Sequence, residues 1–192
     1  MSLKLLLGLG NPEPRYEMTR HNAGFSFIDE FATRAGGTLA NSKNMFAHMC
    51  KIKYAGQDLI LAKPTTYMNL SGRAAAAIMN FYKIDKSDLL VIHDEVALNL
   101  GVIRLSRGGG SAGNHGIESI MACIGTNEFN RLRIGVGPDP GGAMRADYVL
   151  SVIPQSDREL YSRVIATCVE ASETWLQAGI QDAMNKYNGK EI

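Results

Sequence analysis

A chain of 192 residues with 45% hydrophobic and 20% charged content has the make-up of one ordinary globular domain. Its net charge of +1 excludes a surface built uniformly for polyanions, while leaving room for a local basic patch. Cys50, Cys123 and Cys168 show neither CxxC nor Cys/His spacing, which argues against structural zinc and a disulfide framework and for a reducing compartment.

The elements follow from periodicity. The N-terminal apolar run is too short for a signal peptide, and nothing approaches the ~18 apolar residues of a membrane span, so a cytoplasmic protein is expected. Leu3–Leu9 reads as a buried strand that Gly10-Asn11-Pro12 turns. Phe25, Ile28, Phe31, Ala32 and Ala35 then recur at helical spacing up to Gly36-Gly37. Ala47–Tyr54 and Leu59–Ala62 resemble a hairpin, and Leu70, Ala74, Ala77, Ile78 and Phe81 mark an amphipathic helix entered through Tyr67-Met68-Asn69. Leu89–Ile92 reads as a second buried strand running into His93-Asp94-Glu95, and Val102–Leu105 as a third before Gly108-Gly109-Gly110. A helix over 114–124, a strand over Leu132–Val136 and a long helix opened by a Ser156/Glu159 capping box complete the chain. The pattern predicts a single α/β domain over 1–192, its twisted, mostly parallel mixed sheet flanked by helices. Ligands of such sheets gather beyond the carboxyl ends of strands, where the clusters at 11–21, 93–95 and 108–115 are expected to converge.

Several motifs compete. Gly8-x-Gly10 opens like a dinucleotide fingerprint, but Glu13 stands where the third glycine belongs and has prolines on both sides, so a tight turn presenting Asn11 is the simpler reading. Gly109–Gly113 matches the G-x-S-x-G nucleophile elbow around Ser111, yet the one later histidine, His115, lies four residues on. His93, Asp94 and Glu95 alternate sides of a strand and so do not share one metal ion, and no cofactor is expected. Asp94 suits the role of a carboxylate that orients an imidazole, and His21 is the imidazole to pair with it. With no convincing nucleophile beside His21, the attacking group is a water. Positioned general-base catalysis contributes about 10²–10⁴-fold, which fits an ester better than an amide. Arg104, Arg107, Arg131 and Arg133 form a candidate phosphate clamp near the presumed rim. The residues thus point to a hydrolase of an ester attached to something anionic.

The pieces GLGNP, TRHNAG, KPTTYMNLSG, HDE, RGGGSAG and RLRIGVG, in this order over residues 1 to 150, resemble the bacterial peptidyl-tRNA hydrolase family. The resemblance implies cleavage of the ester between a peptide and the 3′-terminal ribose of tRNA, without metal, recycling the tRNA and rescuing stalled translation. By it, His21 is the base that activates water and Asp94 its orienting acid, while Asn11 reads the acylated α-amino group. It also implies that Tyr16, Tyr67 and Asn69 contact the tRNA end or the peptide, that Met68 lines the site, and that Arg104, Arg107 and Arg133 grip tRNA phosphates. Peptidyl-tRNA is then the partner, and a monomer is expected. Three positions depart from the family pattern. His115 stands where a substrate-binding asparagine is usual, which leaves Asn114 and His115 as alternatives for that contact; Glu13 replaces a glycine, and Ala97 an acid. Two other classes stay open: an RNA-binding relative without turnover, and a serine hydrolase built on Ser111.

Overall fold

Continuous apolar runs flanked by glycine and polar turns make strands that need cover on both faces, and the chain supplies it. The computed structural model describes residues 2–192. Its strands are β1 (Lys4–Gly8), β2 (Ala40–Ser42), β3 (Ala47–Tyr54), β4 (Gln57–Pro64), β5 (Leu89–Asn99), β6 (Ile103–Arg107) and β7 (Asn130–Gly137). They form one sheet in the order β2-β3-β4-β1-β5-β7-β6. The neighbours β4, β1, β5 and β7 run parallel, and antiparallel strands extend the sheet at both edges. The helices are α1 (Ala23–Ala35), α2 (Ser71–Tyr82), α3 (His115–Ile124), α4 (Met144–Val149), α5 (Arg158–Ala178) and α6 (Ile180–Tyr187). Among the described residues, no helix is long and apolar enough to cross a membrane.

Alternation along the strands splits the core in two. Leu6, Leu90, Ile92 and Leu132 face Phe27 and Phe31 of α1 and Val164 and Trp175 of α5. Leu5, Leu7 and Val91 face Ala74 and Ile78 of α2 and Ile117 and Ile120 of α3. Phe81 departs from the expected apolar face of α2. It is 66% exposed and stacks edge-on with Tyr82, because the helix ends there with Lys83 in the left-handed region.

Gly8, the last residue of β1, serves close packing against Gly24 of α1 rather than the turn that the sequence suggests. A Cβ on Gly8 would lie 2.1 Å from the Gly24 carbonyl oxygen, and one on Gly24 would lie 2.3 Å from the Leu9 nitrogen and 2.4 Å from the Ile92 oxygen. Neither residue has the positive φ of a glycine-dependent turn. Their bare backbones let the start of α1 rest directly on β1 and β5, which brings the segment just before it, Arg20–Asn22, to the sheet. Gly24→Ala is therefore expected to cost about 1–3 kcal/mol, as overpacking does, and to lower turnover by displacing His21. Urea denaturation alongside an activity assay checks this, and wild-type values in both would contradict it.

Three further expectations need correction. His93-Asp94-Glu95 does not follow β5 but lies inside it, paired with Arg133, Ile134 and Gly135 of β7. It still reaches the rim, because the pairing of β1 with β5 ends at Gly8 and Ile92, so β5 outruns its neighbour by these residues. The glycine loop, in turn, leaves β6 at the far end of the sheet, since β6 is antiparallel and Arg107 pairs with Asn130 at the start of β7. The loop then climbs back toward the rim, held by the buried Arg131, which donates to the carbonyls of Gly110 at 2.5 Å and Gly109 at 2.7 Å. The Ser156/Glu159 box does not form either. A 3₁₀ turn over Gln155–Asp157 precedes α5, and the Ser156 hydroxyl donates to Asp157 at 3.0 Å instead.

Candidate active site

Three chain segments meet where β5 runs past β1. Asn11 follows β1, and its backbone is gripped by the Asn22 carboxamide, which accepts from the Asn11 N–H and donates to the Asn11 carbonyl, each at 2.9 Å. The Asn11 side chain in turn accepts from the Met68 N–H through Oδ1 at 2.9 Å. That bond fixes which end of the carboxamide is oxygen and leaves the Nδ2 amino group as the donor available to a ligand.

His21 lies in the 3₁₀ turn before α1 and Asp94 within β5, and the two meet: Nδ1 donates to Asp94 Oδ2 at 2.9 Å. The carboxylate is 4% exposed, and its other oxygen accepts from Asn114 Nδ2 at 3.2 Å. Burial lowers the His21 pKa, but the Asp94 charge and hydrogen bond outweigh it, so the net lies above the ordinary 6.5. With Nδ1 carrying the proton, Nε2 is left as the basic atom. His93, one residue before Asp94, behaves in the opposite way. Burial drives its pKa down to about 4, so it stays neutral, and its Nδ1 donates to the Asp94 backbone carbonyl at 2.7 Å.

Asn114 and His115 are held differently. Asn114 caps α3, accepting from the N–H groups of Gly116 at 3.0 Å and Ile117 at 3.1 Å, while its amino group steadies Asp94. His115 is exposed at the rim and bonds to Glu118 at 3.1 Å. Ser111 is no elbow nucleophile in this arrangement: its hydroxyl donates to Glu118 at 3.0 Å and accepts from the Gly113 N–H, with no imidazole bonded to it.

A cavity of about 530 Å³ opens over the pair, lined by Asn11, His21, Tyr67, Met68, Asn69, Asp94, Asn114 and His115. Glu95 and Ser111, from the clusters expected to converge, line it too, and Arg145, Val149 and Leu150 join its walls without having been foreseen. Tyr16, Arg104, Arg107 and Arg133 do not line it. Among the described residues, no three His, Cys, Asp or Glu side chains are grouped as a metal site requires.

The peptidyl-tRNA hydrolase family model matches residues 5–192. The chain belongs to that family. It is 44% identical to the peptidyl-tRNA hydrolase of Elusimicrobium minutum over 97% of this chain and 99% of that one. For the enzyme of Chlorobium phaeobacteroides the identity is 43%, over 98% and 99% of the two chains. A crystal structure of peptidyl-tRNA hydrolase from Acinetobacter baumannii superimposes with a TM-score of 0.93 at 35% identity, covering 98% of this chain and 96% of that one. The family match takes in every side chain described above.

The arginines divide by task. Arg131 is 3% exposed and holds the glycine loop, so it is not free for a ligand. Arg104 and Arg107 are exposed on β6, and the half-buried Arg133 on β7 donates to Ser106 at 3.2 Å and lies 4.0 Å from Glu95. All three lie on the β7–β6 edge of the sheet: Arg133 approaches the cavity through Glu95, whereas Arg107 stands at the opposite end of the sheet from the rim. Arg145, in the cavity wall, donates to Asp139 through Nε at 2.8 Å, a pairing that holds the Asp139 carboxyl below its usual range. The sequence carries no periodic signal for that contact.

Proposed function

We propose that this protein hydrolyses the ester joining a peptide to the 3′-terminal ribose of tRNA, with His21 as general base and Asp94 as its orienting acid. The observation that carries the reading is the 2.9 Å bond from His21 Nδ1 to a buried Asp94 at the floor of an open cavity, in a chain of this family. Water held by His21 Nε2 attacks the ester carbonyl carbon as its proton passes to the imidazole. Asp94 stabilises the imidazolium that forms. The tetrahedral intermediate then collapses, breaking the bond between the former carbonyl carbon and the ribose oxygen, and the imidazolium returns the proton to the departing ribose oxygen. The products are a peptide acid and free tRNA. Arg104, Arg107 and Arg133 supply cationic contacts for tRNA phosphates on the β6–β7 side. Tyr16, which does not line the cavity, is assigned to tRNA contact outside it.

Asn11 gives the reaction its selectivity. Its free Nδ2 donates to a carbonyl oxygen, and an acylated α-amino group brings such an oxygen. A free aminoacyl ester brings an ammonium instead, which meets a donor and gains nothing. In Asn11→Asp one oxygen still accepts from Met68 while the other attracts the ammonium. This variant is expected to narrow the preference for N-acetyl-aminoacyl-tRNA over aminoacyl-tRNA by about tenfold or more, as a charge-assisted hydrogen bond would. Comparing release from the two substrates checks this, and an unchanged ratio would remove Asn11 from the selection step. Wild-type protein that bound tRNA and released nothing from either substrate would favour the RNA-binding reading.

A further inference from the structure

The 3₁₀ turn that carries His21 spans only Arg20–Asn22, and no side chain caps its start. Such a turn does not hold a ring in place by itself, because its hydrogen bonds are few and poorly aligned. It is anchored from both sides instead. On one side the Asn22 carboxamide grips the Asn11 backbone. On the other, residues 18–20 lie antiparallel to 151–153. There the Arg20 N–H donates to the Ser151 carbonyl at 3.2 Å, Thr19 bridges Val152, and the Ile153 N–H donates to the Met18 carbonyl at 3.0 Å. The Arg20 side chain reinforces this ladder. Its Nη1 donates to the Ser151 hydroxyl at 2.6 Å and to the Val152 carbonyl at 3.2 Å, and the guanidinium stands 4.3 Å from the centre of the Tyr148 ring. The Ser151 hydroxyl donates in turn to the Tyr148 carbonyl at 2.6 Å, and the Tyr148 hydroxyl to the Val136 carbonyl of β7 at 2.8 Å. Val149 and Leu150, in the same segment, wall the cavity over His21.

We propose that Arg20 is a positioning residue for ester cleavage: by fastening the 148–152 segment to the turn, it fixes the His21 ring against Asp94 and against the water it activates. The inference rests on the reading of His21 as the base. The surroundings suit arginine in particular. A planar guanidinium stacks on Tyr148 while donating to Ser151 and Val152, a combination that the point charge of a lysine does not reproduce. Without the tie the ring is free to shift relative to Asp94, and a misplacement of about 1 Å costs on the order of 10²-fold in rate. That loss falls on kcat, since the contacts for tRNA and peptide stay in place. Among the described residues Arg20 has no ion-pair partner within 4.0 Å, so a direct grip on RNA phosphate is the competing role, and it would show in KM.

The test sets Arg20→Met, Arg20→Lys and Ser151→Ala beside wild type on N-acetyl-aminoacyl-tRNA, and follows the His21 ring of the same proteins by nitrogen NMR across pH. Arg20→Met is expected to lower kcat by about 10- to 100-fold with KM within about threefold, and Arg20→Lys to fall between it and wild type. Ser151→Ala keeps the guanidinium and its stacking, and should lose about threefold, the worth of one hydrogen bond; it serves as the second reading if Arg20→Met does not fold. Lysine keeps the positive charge, so a shifted His21 titration in Arg20→Lys reports geometry alone. Asp94 and Glu95 of β5, Arg145 of α4 and His115 of α3 are the charged and titratable groups that share the cavity with His21, and these variants leave all four in place. Asp94 supplies both causes that raise the His21 pKa, so a ring held less closely to it should titrate lower and take the acid limb of kcat/KM with it. Wild-type kcat in a folded Arg20→Met protein would overturn the proposal. So would a rise in KM alone, which would assign Arg20 to RNA, or a fall in kcat with the His21 titration unmoved, which would mark a general loosening of the fold. Failure of the base reading itself looks different: the rate limb of wild type would then ignore the His21 titration.

Discussion

Alanine at position 21 is expected to lower kcat for peptidyl-tRNA by about 10²–10⁴-fold, the range that a positioned general base contributes. KM should move little, since the imidazole meets the reacting water and leaves tRNA and peptide contacts in place. The fold should hold as well: the base is a partly exposed side chain in a 3₁₀ turn, while the approach of α1 to the sheet depends on Gly8 and Gly24. Single-turnover release of N-acetyl-aminoacyl groups, with circular dichroism as the control for folding, makes the measurement. Near-wild-type kcat in a folded His21→Ala protein would remove the base from the mechanism.

Asp94→Asn carries the second large effect, and its pH dependence has a definite sign. In the wild-type protein burial lowers the His21 pKa and Asp94 raises it above the ordinary value. The base works only when unprotonated, so wild-type activity falls as pH drops through a pKa above 6.5. Asparagine removes both raising causes and leaves burial, so the acid limb of kcat/KM should move to lower pH, below the ordinary histidine value. At the same time kcat should fall by about 10²-fold or more, because a neutral amide neither fixes the Nδ1–H tautomer nor stabilises the imidazolium. The two signs together separate this account from a general loss of folding, which would lower the rate without moving the limb. A limb that stays in place in Asp94→Asn would show that another group sets it.

Local pattern made the main elements legible: β1, the β3–β4 hairpin, α1, α2, α3 and the long α5 all fall close to where periodicity puts them. The His21–Asp94 pairing was legible for a different reason. Both are polar side chains at positions where turn formers or apolar residues would serve as well. Depth and direction were harder to read. Gly8 looks like a turn residue in one dimension, yet it and Gly24 are needed because two backbones touch, a relation between segments that no local window contains. The glycine loop was assigned to the wrong end because nothing in Ile103–Arg107 announces an antiparallel strand. Arg131 looked like its neighbours and turned out to be buried against the loop it holds. The short elements β2, α4 and α6 were missed as well, since three to eight residues carry too little periodicity to stand out. Arg145 joined the cavity through tertiary contacts alone.

The central claim is that one imidazole, held by one carboxylate, supplies the base. Nitrogen NMR of selectively labelled His21 across pH, set beside the kcat/KM profile of the same protein, addresses it directly. The account predicts a ring protonated at Nδ1 and bare at Nε2 at neutral pH, titrating above 6.5 at the same pH as the acid limb of the rate, with both moving down together in Asp94→Asn. A ring carrying its proton on Nε2, or a rate limb that ignores the His21 titration, would contradict it.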